Sequence, residues 1–281
     1  EYSKVTRDRS IGLTSEKIMD SMLRRIDQGG YKTAPYEIPS PYNSHGIPMI
    51  IISTVRVLSS MKESFSEDVS RLYREEKKYL DLIFSLHYDR ETNLIREYVS
   101  PSPDYSRLLD RHINPGHTLE DAWFWIESME SQGVLSENIA LISDIIKKTF
   151  DISWDNEYGG LFRFVDRKGG KPKGKTNGSS YECLVKETWN MKLWWPHSEM
   201  LYLFLKMFFL TGDDEYLSLY KKVEEYTFST FPSDKNTEWV QIRNRKGEED
   251  DRVVALPVKD PFHILRDFLK IVMLLEEHDA Y

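Results

Sequence analysis

The sequence predicts an all-α fold of stacked helical hairpins, either a solenoid or a closed α/α toroid. Three observations predict it. Apolar residues recur at helical spacing along most of the 281 residues. The run from His197 through Leu201, Phe204, Leu205 and Phe208 follows i, i+4, i+7, i+8, i+11. Helix-opening prolines fall at Pro48, Pro115, Pro196 and Pro261, spaced 67, 81 and 65 residues apart, with a further helix between each pair. In a toroid, alternate helices form an inner ring whose like ends gather on one face.

In order along the chain, Glu1 to Asp8 reads as a helix end and turn. Ile18, Met22, Leu23 and Ile26 then share a helix face, as do Ile50, Ile51, Val55 and Leu58 after Pro48. Val69, Leu72, Leu80, Ile83 and Phe84 line a third helix. Trp123, Ile126, Glu127 and Met129 continue the helix begun at Pro115, and Ile139, Ile142, Ile145 and Ile146 form the next. The stripe behind His197 follows, then Leu217, Tyr220, Val223 and Tyr226, then Leu265, Phe268, Leu269, Val272 and Met273. That makes eight helices. Thr211-Gly212-Asp213 before its helix echoes Thr6-Arg7-Asp8 before another. Two short segments read as hairpins: Leu161 to Val165 with its Asp166 to Gly169 turn, and Trp239 to Ile242 before Asn244 to Gly247. The basic, Gly-rich stretch from Lys168 to Ser180 reads as a solvated loop, placed where a lid would be useful.

Composition bounds the function. A net charge of −8 and a pI near 5.5 argue against nucleic acid or an anionic membrane as partner. The lone Cys183 excludes an internal disulfide and a thiolate zinc cage. With no signal peptide and no long apolar run, a cytoplasmic home is the default expectation. Aromatic residues reach 13%, enough to fill a core and also line a sugar cleft. Phosphate-loop, dinucleotide and nucleophile-elbow motifs are missing from the sequence.

The chemistry gathers on histidines placed just behind helix-opening prolines: His117, His197 and His263. A first-turn imidazole faces unpaired N–H groups and the positive helix end, which favours its neutral, proton-accepting form. Such a histidine also serves as a cap or packed ring, and His197, heading an apolar stripe, suits core packing. Polar and aromatic company favours chemistry. Trp194, Trp195 and Glu199 flank His197; Asn114, Glu120 and Trp123 flank His117; Lys259, Asp260 and Arg266 flank His263. Carboxylates, aromatics and imidazoles together suit a polyhydroxylated substrate. Two neutral imidazoles on opposite sides of one carbon can invert it, one removing the proton α to a carbonyl and the other returning one. His117-x-x-Glu120 spans one helical turn and has the spacing of a metal pair, but no second matching pair accompanies it, so no metal is expected. His45, His87, His112 and His278 read as structural or exposed.

Three segments carry a resemblance. They are Arg111 to Glu120 (Arg-His-Ile-Asn-Pro-Gly-His-Thr-Leu-Glu), Trp189 to Glu199 (Trp-Asn-Met-Lys-Leu-Trp-Trp-Pro-His-Ser-Glu) and Val254 to His263. The Thr237-Glu238-Trp239 segment and the helix start at Ile47-Pro48 fit as well. Together, in order and over nearly the whole chain, they resemble the N-acylglucosamine 2-epimerase family, which includes cellobiose 2-epimerases. The resemblance implies an (α/α)6 barrel with its site at the inner-helix ends. Residues 1–281 would form a single toroid domain carrying about eight of twelve helices and lacking the N-terminal third. It implies interconversion of N-acylglucosamine and N-acylmannosamine, His197 and His263 exchanging the C2 proton and His117 assisting ring opening. Glu199 and Glu238 would orient or polarise, Trp194 and Trp195 would support the pocket, and Asn114, Glu120, Trp123 and Arg266 would complete the sugar site. No cofactor is required. ATP, an effector of some relatives, stays open, as does a homodimer. Epimerisation of mannose or cellobiose, glycoside hydrolysis on the same toroid and a non-catalytic sugar-binding toroid are the alternatives.

Overall fold

Three inner helices of this chain start where a two-residue strand ends, and that repeat builds the molecule. The computed structural model describes residues 1–29, 31–233, 238–250 and 262–278. Among them, α1 (Tyr2–Thr6) and α2 (Arg9–Asp27) lead into β1 (Asn43–Ser44) and α3 (Gly46–Ser64). Then come α4 (Ser70–Leu82), a π-helical turn (Ile83–His87), β2 (Tyr88–Asp89), β3 (Leu94–Ile95) and β4 (Tyr98–Val99). β5 (His112–Ile113) opens onto α5 (Pro115–Gln132), followed by α6 (Leu135–Ser153), β6 (Val165–Asp166) and α7 (Ser180–Thr188). β7 (Lys192–Leu193) opens onto α8 (Trp194–Thr211), followed by α9 (Asp214–Thr230), β8 (Ile242–Arg243) and α10 (Phe262–Glu277).

Packing separates two layers. α3 packs on α5, α5 on α8 and α8 on α10, forming an inner arc. α4, α6 and α9 back α3, α5 and α8 from outside, and α2 lies on α3. The helices differ as this position demands. α8, clasped on several sides, is apolar all round and buries Met200, Leu201, Leu203, Phe204 and Met207. α4 carries its apolar residues on one face, burying Leu72, Tyr79 and Leu80. α5 is opened by an Asn114 cap and Pro115 and closed by Gly133 in the left-handed region. At its start, a Cβ on Gly116 would lie 2.8 Å from the Trp195 ring, so glycine lets α5 and α8 approach closely.

Several expectations change. Ten α-helices rather than eight occur among the described residues; α1 and the short α7, held by a Ser179–Glu182 capping box, are the additions. Leu161 to Val165 forms no hairpin of its own: β6 pairs with β5, and Leu161 bridges to Trp154. β8 pairs with β7, while Arg243 bridges to Glu249 across the Asn244–Gly247 turn. Pro115 is the first residue of its helix, whereas Pro48 and Pro196 are third. Pro261, Thr237 and the Val254–Pro261 part of the third motif lie outside the described residues. The Lys168–Ser180 stretch is anchored rather than poised as a lid. Lys175 exchanges backbone hydrogen bonds with Ser106 and Leu108, and none of the stretch borders the cavity described below. On α10 the buried side is His263, Asp267, Ile271 and Leu274, while Leu265, Leu269, Val272 and Met273 face outward. Among the described residues no helix is long and apolar enough to cross a membrane.

Candidate active site

The starts of α3, α5, α8 and α10 surround one cavity of about 590 Å³. Residues 33–36 and Ile38 border it as well, and its floor and walls include Asn114, His117, Glu120, Trp195 and His263.

His117, third in α5, is fixed at both ends. Its backbone N–H donates to Asn114 Oδ1 (3.3 Å), and its Nδ1 lies 3.0 Å from Glu97 Oε2. Glu97, just before β4, is 3% exposed. Burial alone would raise its pKa, but His117 and His45 outweigh that and hold it well below the carboxylate range. An ionised carboxylate only accepts, so Nδ1 carries the hydrogen and Nε2 is left as the basic nitrogen. His45 stands behind Glu97. Its Nε2 bonds Asp121 Oδ2 at 2.7 Å, and its Nδ1 is 3.9 Å from Glu97 Oε2, within ion-pair range only. Burial opposes its charge, yet Asp121 and Glu97 prevail and raise its pKa to about 9.

His263, second in α10, repeats the arrangement. Its Nδ1 bonds Glu199 Oε1, and Glu120 Oε1 is 3.7 Å away. Trp123 Nε1 donates to Glu199 Oε2 at 2.7 Å. Arg266 donates to Glu199 and, at 3.0 Å, to Glu120. Burial would raise Glu199, but Arg266, His263 and Trp123 lower it and keep it ionised. Glu120 is raised by burial and by the like charge of Glu199, so of the two it is the first to take a proton. Trp195 joins the two halves, its ring 5.7 Å from that of His117 and stacked 5.2 Å from that of His263.

His197 is placed differently. It is fully buried, does not line the cavity and has both nitrogens committed to backbone. Nδ1 donates to Leu193 O (2.6 Å) and Nε2 accepts from Leu161 N–H (2.9 Å). Burial, with the Lys192 charge adding to it, lowers its pKa to about 3. The ring stacks on Tyr226 and clamps the Leu161 segment to the start of α8. Trp194 is buried edge-on against His263 and also lies off the cavity, and Glu238 is exposed away from it. The site thus gathers Asn114, His117, Glu120, Trp195 and His263, with Trp123, Glu199 and Arg266 directly behind them. Glu97, His45 and Asp121 belong to it as well. The sequence marks His45 only as structural or exposed and offers Asp121 only as a carboxylate for hydrolysis, and it does not single out Glu97. The one signal was a glutamate in the short apolar run Leu94 to Val99.

Two groups have donor atoms close enough for a metal ion: His45, Glu97 and His117, and Glu120, Glu199 and His263. In the second, the Arg266 guanidinium already bridges both carboxylates and would repel a cation. In the first, the charge that Asp121 and Glu97 favour on His45 would likewise repel a cation, and the His117 Nδ1 facing Glu97 carries a hydrogen.

Comparison with known proteins fits this layout. The family model described as N-acylglucosamine 2-epimerase matches residues 63–266. The N-acylglucosamine 2-epimerase of Mus musculus is 33% identical over 221 residues, covering 78% of this chain and 49% of its own. That of Rattus norvegicus is 29% identical over 269 residues, covering 95% and 60%. The chain therefore spans about half the length of these relatives. Among solved structures, cellobiose 2-epimerase from Spirochaeta thermophila superposes with a TM-score of 0.64 at 17% identity, covering 88% of this chain and 55% of that one. An unsaturated glucuronyl hydrolase from Bacillus sp. GL1 reaches 0.59 at 12% identity, covering 98% and 70%, so hydrolases share the all-α toroid-like fold. The match over most of the chain, beside relatives of one kind, shows that it belongs to the N-acylglucosamine 2-epimerase family.

Proposed function

We propose that the protein is a sugar 2-epimerase interconverting N-acylglucosamine and N-acylmannosamine, with His117 and His263 as its two proton-transfer groups. One observation carries this reading: two imidazoles border a single cavity, and each has its Nδ1 on a buried carboxylate. On His117 that pairing leaves Nε2 to exchange a proton with substrate, and His263, on the same cavity wall, serves the opposite face. On the ring-opened sugar, one imidazole takes the C2 proton, and the electron pair of the C–H bond moves into an enediolate. The other imidazole, protonated, delivers a proton to the opposite face, and the double bond closes back to the C1 carbonyl. The α-proton is a weak acid, so stabilising the developing oxyanion matters most. Glu120, the carboxyl in the wall that burial makes easiest to protonate, is the donor for that purpose or for opening the ring. Only protons move, so the reaction calls for no redox cofactor. The pair differs from the one the family resemblance implies, since His117 replaces His197 as the partner of His263.

Proton NMR of N-acetylmannosamine in D2O with the 281-residue chain tests this. Loss of the C2 proton signal and growth of N-acetylglucosamine are expected, with H117N and H263N each slowing exchange about 10²–10⁴-fold. Wild-type rates in both variants would sink the assignment. Exchange on mannose or cellobiose alone would move the substrate within the family.

A further inference from the structure

The cavity wall holds one lysine or arginine among its described residues, Arg163, and neither imidazole–carboxylate pair uses it. Its backbone N–H donates to Met191 O at 3.1 Å, which fixes the residue just ahead of β6. Its guanidinium has no hydrogen bond or ion pair with any described residue. Its neighbours are aromatic. The Phe164 ring is 5.3 Å away, and Tyr36 and Tyr181, themselves edge to face at 6.1 Å, stand beside it on the wall. Among the other described residues, sheltered guanidinium groups are paired. Arg111 forks onto Asp166, Arg167 reaches Asp89 at 2.7 Å, and Arg266 bridges Glu120 and Glu199. Arg163 is the exception, and burial works against its charge. A sheltered, unpaired cation with a planar fork of donors and no acceptor is matched by a two-oxygen anion brought in by a ligand. The cavity's own carboxylates do not serve, because Glu97 is taken by His117 and Glu120 by Arg266.

We propose that Arg163 forms an oxyanion subsite, so that the hexosamine turned over at C2 carries a phosphate or carboxylate at its C6 end. The position on the sugar rests on the epimerase reading, which sets C2 beside His117 and His263; C6 is the carbon farthest along the chain from it. A cavity of about 590 Å³ has room for a hexosamine with such a group. Phe164, Tyr36 and Tyr181 exclude water around the fork and strengthen its bonds to the anion.

Isothermal titration calorimetry with three probes tests the subsite: N-acetylmannosamine, its 6-phosphate and its 6-carboxylate. Wild-type protein should bind one or both anionic sugars about tenfold or more tightly than the neutral one, and the favoured probe identifies the oxyanion. R163Q should abolish the preference, and R163K, with charge but no fork, should restore part of it. Equal binding of all three probes by the wild type would overturn the proposal, whether or not R163Q folds; so would a preference that survives in folded R163Q. Binding is read without turnover, so the two readings fail separately. An intact anion preference with no C2 exchange would sink the epimerase alone. C2 exchange with no anion preference would sink the subsite alone.

Discussion

At the residue scale, His117 and His197 separate two jobs that their sequence contexts do not distinguish. Each follows a proline near a helix start, yet one faces the cavity and the other joins Leu161 to Leu193. Replacing His197 with Ala leaves the Leu161 N–H and the Leu193 carbonyl without partners in a buried place, at a cost of about 1–3 kcal/mol. Urea unfolding should show that loss, while C2 exchange by the folded fraction should stay measurable; a stable variant with no exchange would return His197 to the chemistry. Protonation sets a second expectation. His45, raised to about 9 from 6.5, contributes stability that is full below pH 6.5 and is lost as pH rises through 9. His87, lowered by burial to about 4, and His197, lowered to about 3, contribute stability present above pH 6.5 and lost as pH falls. Glu76 and Glu120, each raised to about 7 by burial, oppose this on the acid side. Stability should therefore be nearly level between about pH 4.5 and 6.5 and fall above it, each unbalanced proton being worth about 1.4 kcal/mol per pH unit. Above pH 8 Lys192, lowered to about 8 by burial, begins to offset the loss, so unfolding measured at pH 5, 6.5 and 8 is the useful comparison. Glu199, the partner of His263, is legible in its motif, whereas the partners of His117 and His45 are not. Glu97 and Asp121 reach His117 and His45 through tertiary approach, which leaves no periodic trace in the chain.

At the scale of elements, the long helices were legible because their apolar period is strong, although α3, α4, α6 and α8 have no side-chain cap. α7 escaped because nine residues hold too few turns to display a period. The strands escaped for a related reason: two residues have no alternation to read, and their partners lie up to 56 positions away, as with Asn43 and Val99. The stripe on α10 has the helical period, yet Leu265, Leu269, Val272 and Met273 face outward and only Phe268 packs on the core, since periodicity gives a helix its face and not its neighbour. The contact of Gly116 with the start of α8 makes an element-level test. Alanine there would press on the Trp195 ring and on Pro196, forcing α5 and α8 apart at a cost of about 1–3 kcal/mol. Because Trp195 lies against both His117 and His263, G116A should also lower the C2 exchange rate, with the KM for sugar rising as the wall shifts. Unchanged kinetics in G116A would show that Trp195 does not hold the two imidazoles in register.

At the scale of the molecule, the inner arc of α3, α5, α8 and α10 carries exposed apolar residues at both ends. Leu265 and Leu269 are 72% and 62% exposed on α10, and Ile11, Ile18, Ile50 and Val57 are exposed on α2 and α3. Such faces favour association in water. Sedimentation velocity of the 281-residue chain should show concentration-dependent self-association, which L265K/L269K should reduce. Behaviour as an unchanged monomer at high concentration would show that these faces are too dispersed to adhere. The two-residue ladders have an evolutionary consequence. β1, β5 and β7 pin the starts of α3, α5 and α8 to distant chain, so the rim holds its shape whatever length the intervening loops have. Insertions between those pins could reshape what the cavity admits, generation after generation, without moving the imidazoles. A lineage built this way can change its diet while keeping its chemistry.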